Sequence, residues 1–107
     1  MTDRGSIYEG IPAELPEEFF ETLCAAGSVR IERIVSRGHA SPPGFWYDQE
    51  ENEFFLVLTG SAGLILADTG ETVVLNAGDY VNIPAGVKHR VAWTDPAGDT
   101  VWLAVFY

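Results

Sequence analysis

The sequence predicts an all-β domain, a β-sandwich or barrel with one short N-terminal helix. Three observations carry that reading. From Ser28 onward apolar and polar residues alternate with a period of two, as in Val29-Arg30-Ile31-Glu32. Short apolar runs then follow one another, each closed by Gly, Pro, Asn or Asp. Of the 107 residues, 47% are hydrophobic and 12% aromatic, too many for a disordered chain. That length sustains one compact core and one domain.

Residues 1–13 read as an arm whose sizeable apolar anchors are Ile7, Tyr8 and Ile11. Such an arm packs on its own barrel or on a neighbouring subunit. Residues 14–107 read as a single domain. Within it, residues 16–26 read as the helix. Pro16 suits the first helical position, and Glu17, Glu18 and Glu21 suit the positive end of its dipole. Gly27 is placed as its stop. Phe19, Phe20, Leu23 and Cys24 share one face at helical spacing, so Cys24 is expected to be a small buried hydrophobe.

Strand follows strand from there. Residues 29–35 form the first, and 38–44 (Gly-His-Ala-Ser-Pro-Pro-Gly) a loop. Phe45-Trp46-Tyr47 restarts an extended segment, 48–52 is acidic and polar, and 54–59 is a strand ended by Gly60. Residues 62–67 and 72–75 flank a short hairpin turn at 68–71. Residues 95–99 form another turn. The closing strand, 100–107, is apolar on both faces and is expected to be covered on both sides, in part by a dimer partner. Arg30, Arg33 and Arg37 fall on two faces by strand alternation and do not form an anion site.

The net charge of −10 repels phosphate backbones and anionic headgroups, so nucleic acid and membrane are not expected partners. The single cysteine permits no intrachain disulfide, and the N-terminus carries no apolar signal region. A cytoplasmic protein is expected.

Residues 78–91 carry the chemistry. Tyr80, Val81 and Ile83 supply a strand that Pro84 ends, since proline has no N–H to donate. A tight Pro84-Ala85-Gly86 turn then sets His89 at the start of a new strand. The spacing Gly78-x5-Pro84-x-Gly86-x2-His89 resembles the second sequence motif of the cupin family. Glu53-x6-Gly60 resembles the end of its first motif, His-x-His, three or four residues, Glu, six residues, Gly. The two histidines of that motif are replaced: their places fall on Tyr47 and Gln49, or on Trp46 and Asp48. Strand parity favours Tyr47 and Gln49, which share a face with Glu53. Trp93 stands where the second motif has asparagine. The resemblance covers about residues 35–93 and implies a cupin-type jelly-roll β-barrel. It is nearest to small cupins with a Phe-Trp-Tyr-Asp-Gln segment in place of His-x-His, a group with no settled activity.

For the site, the resemblance implies metal ligands at His89 and Glu53, with Gln49 auxiliary and Tyr47 and Glu53 as catalytic candidates. Trp46, Asp48, His39 and Trp93 complete the expected pocket. One imidazole with several oxygens suits a divalent ion such as Mn, Fe, Ni or Zn. The resulting expectation is a degenerate metal-binding site at the barrel mouth, acting on a small organic acid or carbonyl compound. The alternative is a metal-free small-molecule-binding or accessory protein with no catalysis. A homodimer is expected, because small cupins commonly dimerise.

Overall fold

A computed structural model describes residues 2–107; Met1, the first residue of the expected arm, lies outside the described residues. The strands are β1 (Phe19–Ala26), β2 (Val29–Ser36), β3 (Glu53–Thr59), β4 (Ser61–Leu66), β5 (Thr72–Asn76), β6 (Tyr80–Ile83), β7 (His89–Thr94) and β8 (Thr100–Phe106). They form a five-stranded sheet, β1-β2-β8-β3-β6, and a three-stranded sheet, β5-β4-β7. Every pairing is antiparallel. The inner faces close on one core that includes Phe55, Val57, Leu64, Leu75, Ile83 and Trp102. A jelly-roll β-barrel is the architecture this describes.

The expected helix is absent; among the described residues there is none. Residues 19–26 pair with β2 instead, from Phe19 opposite Val35 to Ala26 opposite Val29. A helix there would leave the outer N–H and C=O groups of β2 without partners, and local propensity is too weak a preference to outweigh that ladder. Gly27, at φ 58°, opens the two-residue turn of this hairpin rather than stopping a helix. Cys24 is accordingly exposed on the edge strand, not buried.

Alternation along β2 decides what its two faces do. Ile34 faces the core, whereas Arg33, Val35 and Arg37 face outward. Arg33 is nonetheless only 3% exposed. Its guanidinium donates to the carbonyls of Ile7 (3.1 Å) and Glu9 and pairs with Glu21 at 3.0 Å. Arg37 donates to the carbonyl of Ala13 at 2.9 Å and pairs with Asp99 at 2.6 Å. The arm is thus strapped to its own barrel by two arginines.

β8 lies between β2 and β3, inside the larger sheet. Trp102, Ala104 and Phe106 point into the core. Val101 is 2% exposed, and Leu103 and Val105 are half-buried, within the single chain. The two-sided apolar pattern of this strand therefore reflects a central position and does not require a second subunit.

Gly60 is the one residue between β3 and β4, where the chain passes from the larger sheet to the smaller. It has φ 86°, and a Cβ there would sit 2.8 Å from both the Asp99 carbonyl oxygen and Thr100 Cα. These two neighbours are backbone and cannot turn away, and the Thr100 hydroxyl lies closer still. Gly60→Ala is expected to cost roughly 2–4 kcal/mol, combining the left-handed penalty with overpacking. A fall in the urea midpoint at unchanged m-value checks this.

Candidate functional site

His89 opens β7 and Glu53 opens β3, so the two side chains come from different sheets. They meet across the barrel with His89 Nε2 2.8 Å from Glu53 Oε2. Each residue is 3% exposed. The other ring nitrogen, Nδ1, lies 3.0 Å from the Val87 carbonyl oxygen. A carbonyl only accepts, so Nδ1 carries a proton and Nε2 is the atom that shares one with Glu53.

The preceding segment is zipped onto β7. The Tyr47 N–H donates to the His89 carbonyl at 2.7 Å, and the His89 N–H donates to the Tyr47 carbonyl at 3.1 Å. The Gly86 N–H donates to the Gln49 carbonyl at 3.0 Å. This pairing fixes the parity that the sequence left open. Tyr47 and Gln49 turn into the barrel, and the Tyr47 ring stacks on His89 at 5.5 Å between centroids. Trp46 and Asp48 point out and are exposed.

Tyr47, Gln49, Glu53 and His89 form the polar end of a cavity of about 160 Å³. Phe55, Leu64, Val91, Trp102 and Phe106 make its apolar wall. Glu18, Phe20, Arg30 and Glu32 line the rest. Sequence reasoning missed this last group. Glu18 and Phe20 fall within the expected helix, and Arg30 and Glu32 belong to a strand far from both motifs. The shared parity of Arg30, Glu32 and Ile34 was the one signal that placed them on the inner face. Arg30 pairs with Glu32 at 2.7 Å and Glu51 at 3.3 Å and lies over the Phe106 ring at 4.4 Å.

Of the expected pocket residues, His39, Trp46, Asp48 and Trp93 lie outside the cavity. His39 accepts from the Arg37 N–H at Nδ1 (2.8 Å), and its Nε2 lies 3.1 Å from the Pro16 carbonyl oxygen. Both ring nitrogens are thereby spent on backbone, and neither is left for a ligand. Trp93 packs on the outer side of the smaller sheet, against Gly63, where a Cβ would overlap its indole ring. Trp46 stands under the Arg90 guanidinium, 6.0 Å from the ring centroid.

Burial works against a charged His89. The contact with Glu53, the Val87 carbonyl and the Glu53 charge outweigh it, so the imidazole pKa is raised above 6.5. The Tyr47 phenol is also raised, by burial first and then by the charges of Glu18 and Glu53. It therefore stays protonated and serves as a donor.

The donor set does not fit a resident metal. Among the described residues no three His, Cys, Asp or Glu side chains come together. His89 and Glu53 converge alone, with only the Gln49 amide and Tyr47 phenol near, whereas catalytic zinc sites use three protein ligands.

The family profile described as Cupin domain matches residues 33–106. The chain belongs to the cupin family. Among solved structures, this cupin is similar to a Ralstonia eutropha JMP134 protein described as a putative mannose-6-phosphate isomerase. The two are 43% identical with a TM-score of 0.94, covering 98% of this chain and 97% of that one. The polyketide cyclase RemF of Streptomyces resistomycificus is 25% identical with a TM-score of 0.77, covering 99% and 79%. A cupin superfamily protein of Desulfitobacterium hafniense DCB-2, 18% identical with a TM-score of 0.72 over 90% and 82%, shares the fold alone. Comparison with curated proteins gives no match. No helix among the described residues is long and apolar enough to cross a membrane.

The raised pKa of His89 fixes the sign of a pH dependence. Its contribution to stability is complete below its unfolded value of 6.5 and is lost as pH rises through the higher folded value. Urea unfolding from about pH 5.5 to about pH 9 tests this. The wild type should lose stability relative to His89→Gln across that window, and parallel curves would show that the buried imidazole is not charged.

Proposed function

We propose that this cupin binds a small uncharged carbonyl compound and moves a proton on it through His89 and Glu53. The observation that carries the reading is the buried His89–Glu53 pair set in the wall of a cavity with a largely aromatic and aliphatic side. A cavity of about 160 Å³ is of the order that holds a single benzene-sized ring. Perturbed titratable groups in such a cavity are a usual mark of a reactive site.

Charge selects the compound. Glu18, Glu32 and Glu53 line the cavity, and the one arginine beside them, Arg30, is already held by Glu32 and Glu51. No lysine or second arginine lines it. A phosphorylated sugar, the substrate class in the name of the Ralstonia protein, would meet carboxylates here, as would an organic acid. An uncharged carbonyl compound meets aromatic walls and one phenolic donor.

The chemistry is proton abstraction next to a carbonyl. With Nε2–H of His89 donating to one oxygen of Glu53, the other oxygen of that carboxylate takes a proton from the α-carbon. The C–H electrons form the carbon–carbon double bond, and the carbonyl π electrons move onto oxygen, where the Tyr47 O–H donates to the developing charge. Return of the proton to carbon regenerates a ketone or yields its isomer. A divalent metal on His89, Glu53 and Gln49 is the second reading, which the cupin family favours and the two converging ligands oppose.

Acetophenone in D₂O provides the test, with deuterium at the methyl carbon followed by NMR. The wild type should exchange faster than buffer, and Glu53→Gln should exchange at least about a hundredfold more slowly than wild type. Chelator should leave the rate unchanged. Exchange that disappears with chelator and returns with Mn, Fe, Ni or Zn would establish the metal reading, and binding without exchange would leave a non-catalytic binding protein.

The proposal includes a homodimer joined through the β1 edge. Leu23 is 41% exposed, residues 24–26 are exposed, and no lysine or proline guards the strand. Light scattering at micromolar concentration should give the dimer mass for wild type and the monomer mass for Leu23→Lys. A monomeric wild type refutes it.

A further inference from the structure

Besides Glu53 and Glu32, the cavity wall contains a carboxylate whose placement is specified by the core. Glu18 sits immediately before β1 and lines the cavity. Trp102 Nε1 donates to Ser36 Oγ at 3.1 Å, and Ser36 Oγ donates to Glu18 Oε2. Ser36 is 0% exposed and Trp102 3%.

The direction of this chain is fixed by donor chemistry. An indole N–H is a donor only, so Ser36 must accept from it. The single serine proton is then left for Glu18, which must accept. Glu18 therefore stands as an oriented acceptor, one oxygen committed to Ser36. Tyr47 senses the charges of both Glu18 and Glu53, which sets the two carboxylates around the same phenol.

We infer that Glu18 determines which carbonyl compounds the cavity accepts, taking a hydrogen bond from a hydroxyl or amine on the ligand and rejecting a carboxylate at that place. The inference rests on the proposed carbonyl-binding role of the cavity and adds to it a second polar contact with the ligand. A donor group there gains a charge-assisted hydrogen bond in a partly buried setting. A carboxylate there places two like charges side by side, which is how a site excludes a competitor.

Three probes separate the possibilities: acetophenone, 4-hydroxyacetophenone and 4-acetylbenzoate, with dissociation constants measured by NMR titration. Wild type should bind the hydroxyl compound about tenfold more tightly than acetophenone and the carboxylate at least about tenfold more weakly. Glu18→Gln reverses the polarity of the position. Ser36 holds the amide oxygen and leaves the NH₂ group toward the ligand, so the hydroxyl preference should fall to about twofold or less and the carboxylate should gain about tenfold. Ser36→Ala, which removes the anchor without touching the carboxylate, should lower the hydroxyl preference by several-fold. Unfolding curves confirm that both variants are folded.

If wild type binds acetophenone and 4-hydroxyacetophenone equally, or if the preference survives in both variants, the role of Glu18 is overturned while the cavity keeps its proposed ligand class. If wild type binds neither ketone, the proposed function itself fails, and this inference with it.

Discussion

The His89–Glu53 contact is the constraint on which the rest of the site depends. It joins the first residue of β7 in one sheet to the first residue of β3 in the other, at 2.8 Å, with both residues almost fully buried. Taking two such groups out of water costs several kcal/mol each, and their attraction recovers that only with good geometry. The surrounding structure supplies the geometry. The Val87 carbonyl fixes one ring nitrogen, the Tyr47 ring stacks on one face, and the Phe55 ring stands edge-on at 6.2 Å. A pair held this way gives the two sheets a fixed separation and keeps a proton at a defined place.

The acidity of the chain has two physical roles. Over the surface, a net charge of −10 opposes the approach of anionic polymers. Inside the cavity, three glutamates stand beside His89, whose pKa is raised, and beside Arg30, which is paired with Glu32 and Glu51. The Ralstonia relative matches the fold almost end to end, yet the fold leaves open which compound enters the barrel. On the proposed reading that choice falls to the residues of the wall.

The β1 segment shows how local and tertiary preferences compete. Its apolar residues suit a helix face, and Pro16 and Gly27 suit the ends of one. The strand wins because β2 presents a full ladder of backbone donors and acceptors along that edge. The consequence reaches the site: as the lead-in to a strand, Glu18 comes to Ser36 and the cavity, a position that a helix dipole would not have required.

The sequence by itself determined the all-β class, the cupin spacing that sets His89 after the Pro84-Gly86 turn, and Glu53 seven residues before the Gly60 corner. These were legible because period-two alternation and turn residues act locally. Parity alone favoured Tyr47 and Gln49 over Trp46 and Asp48, and the backbone pairing of Tyr47 with His89 settled it. Only the tertiary structure decided that β1 is a strand, that His39 is spent on Arg37 and Pro16, and that Glu18 and Arg30 reach the cavity. Ser36 and Trp102 are 66 residues apart, and no local pattern records that their side chains meet. Sheet pairing brings them together, because in an antiparallel barrel the neighbours of a side chain are set by register between strands.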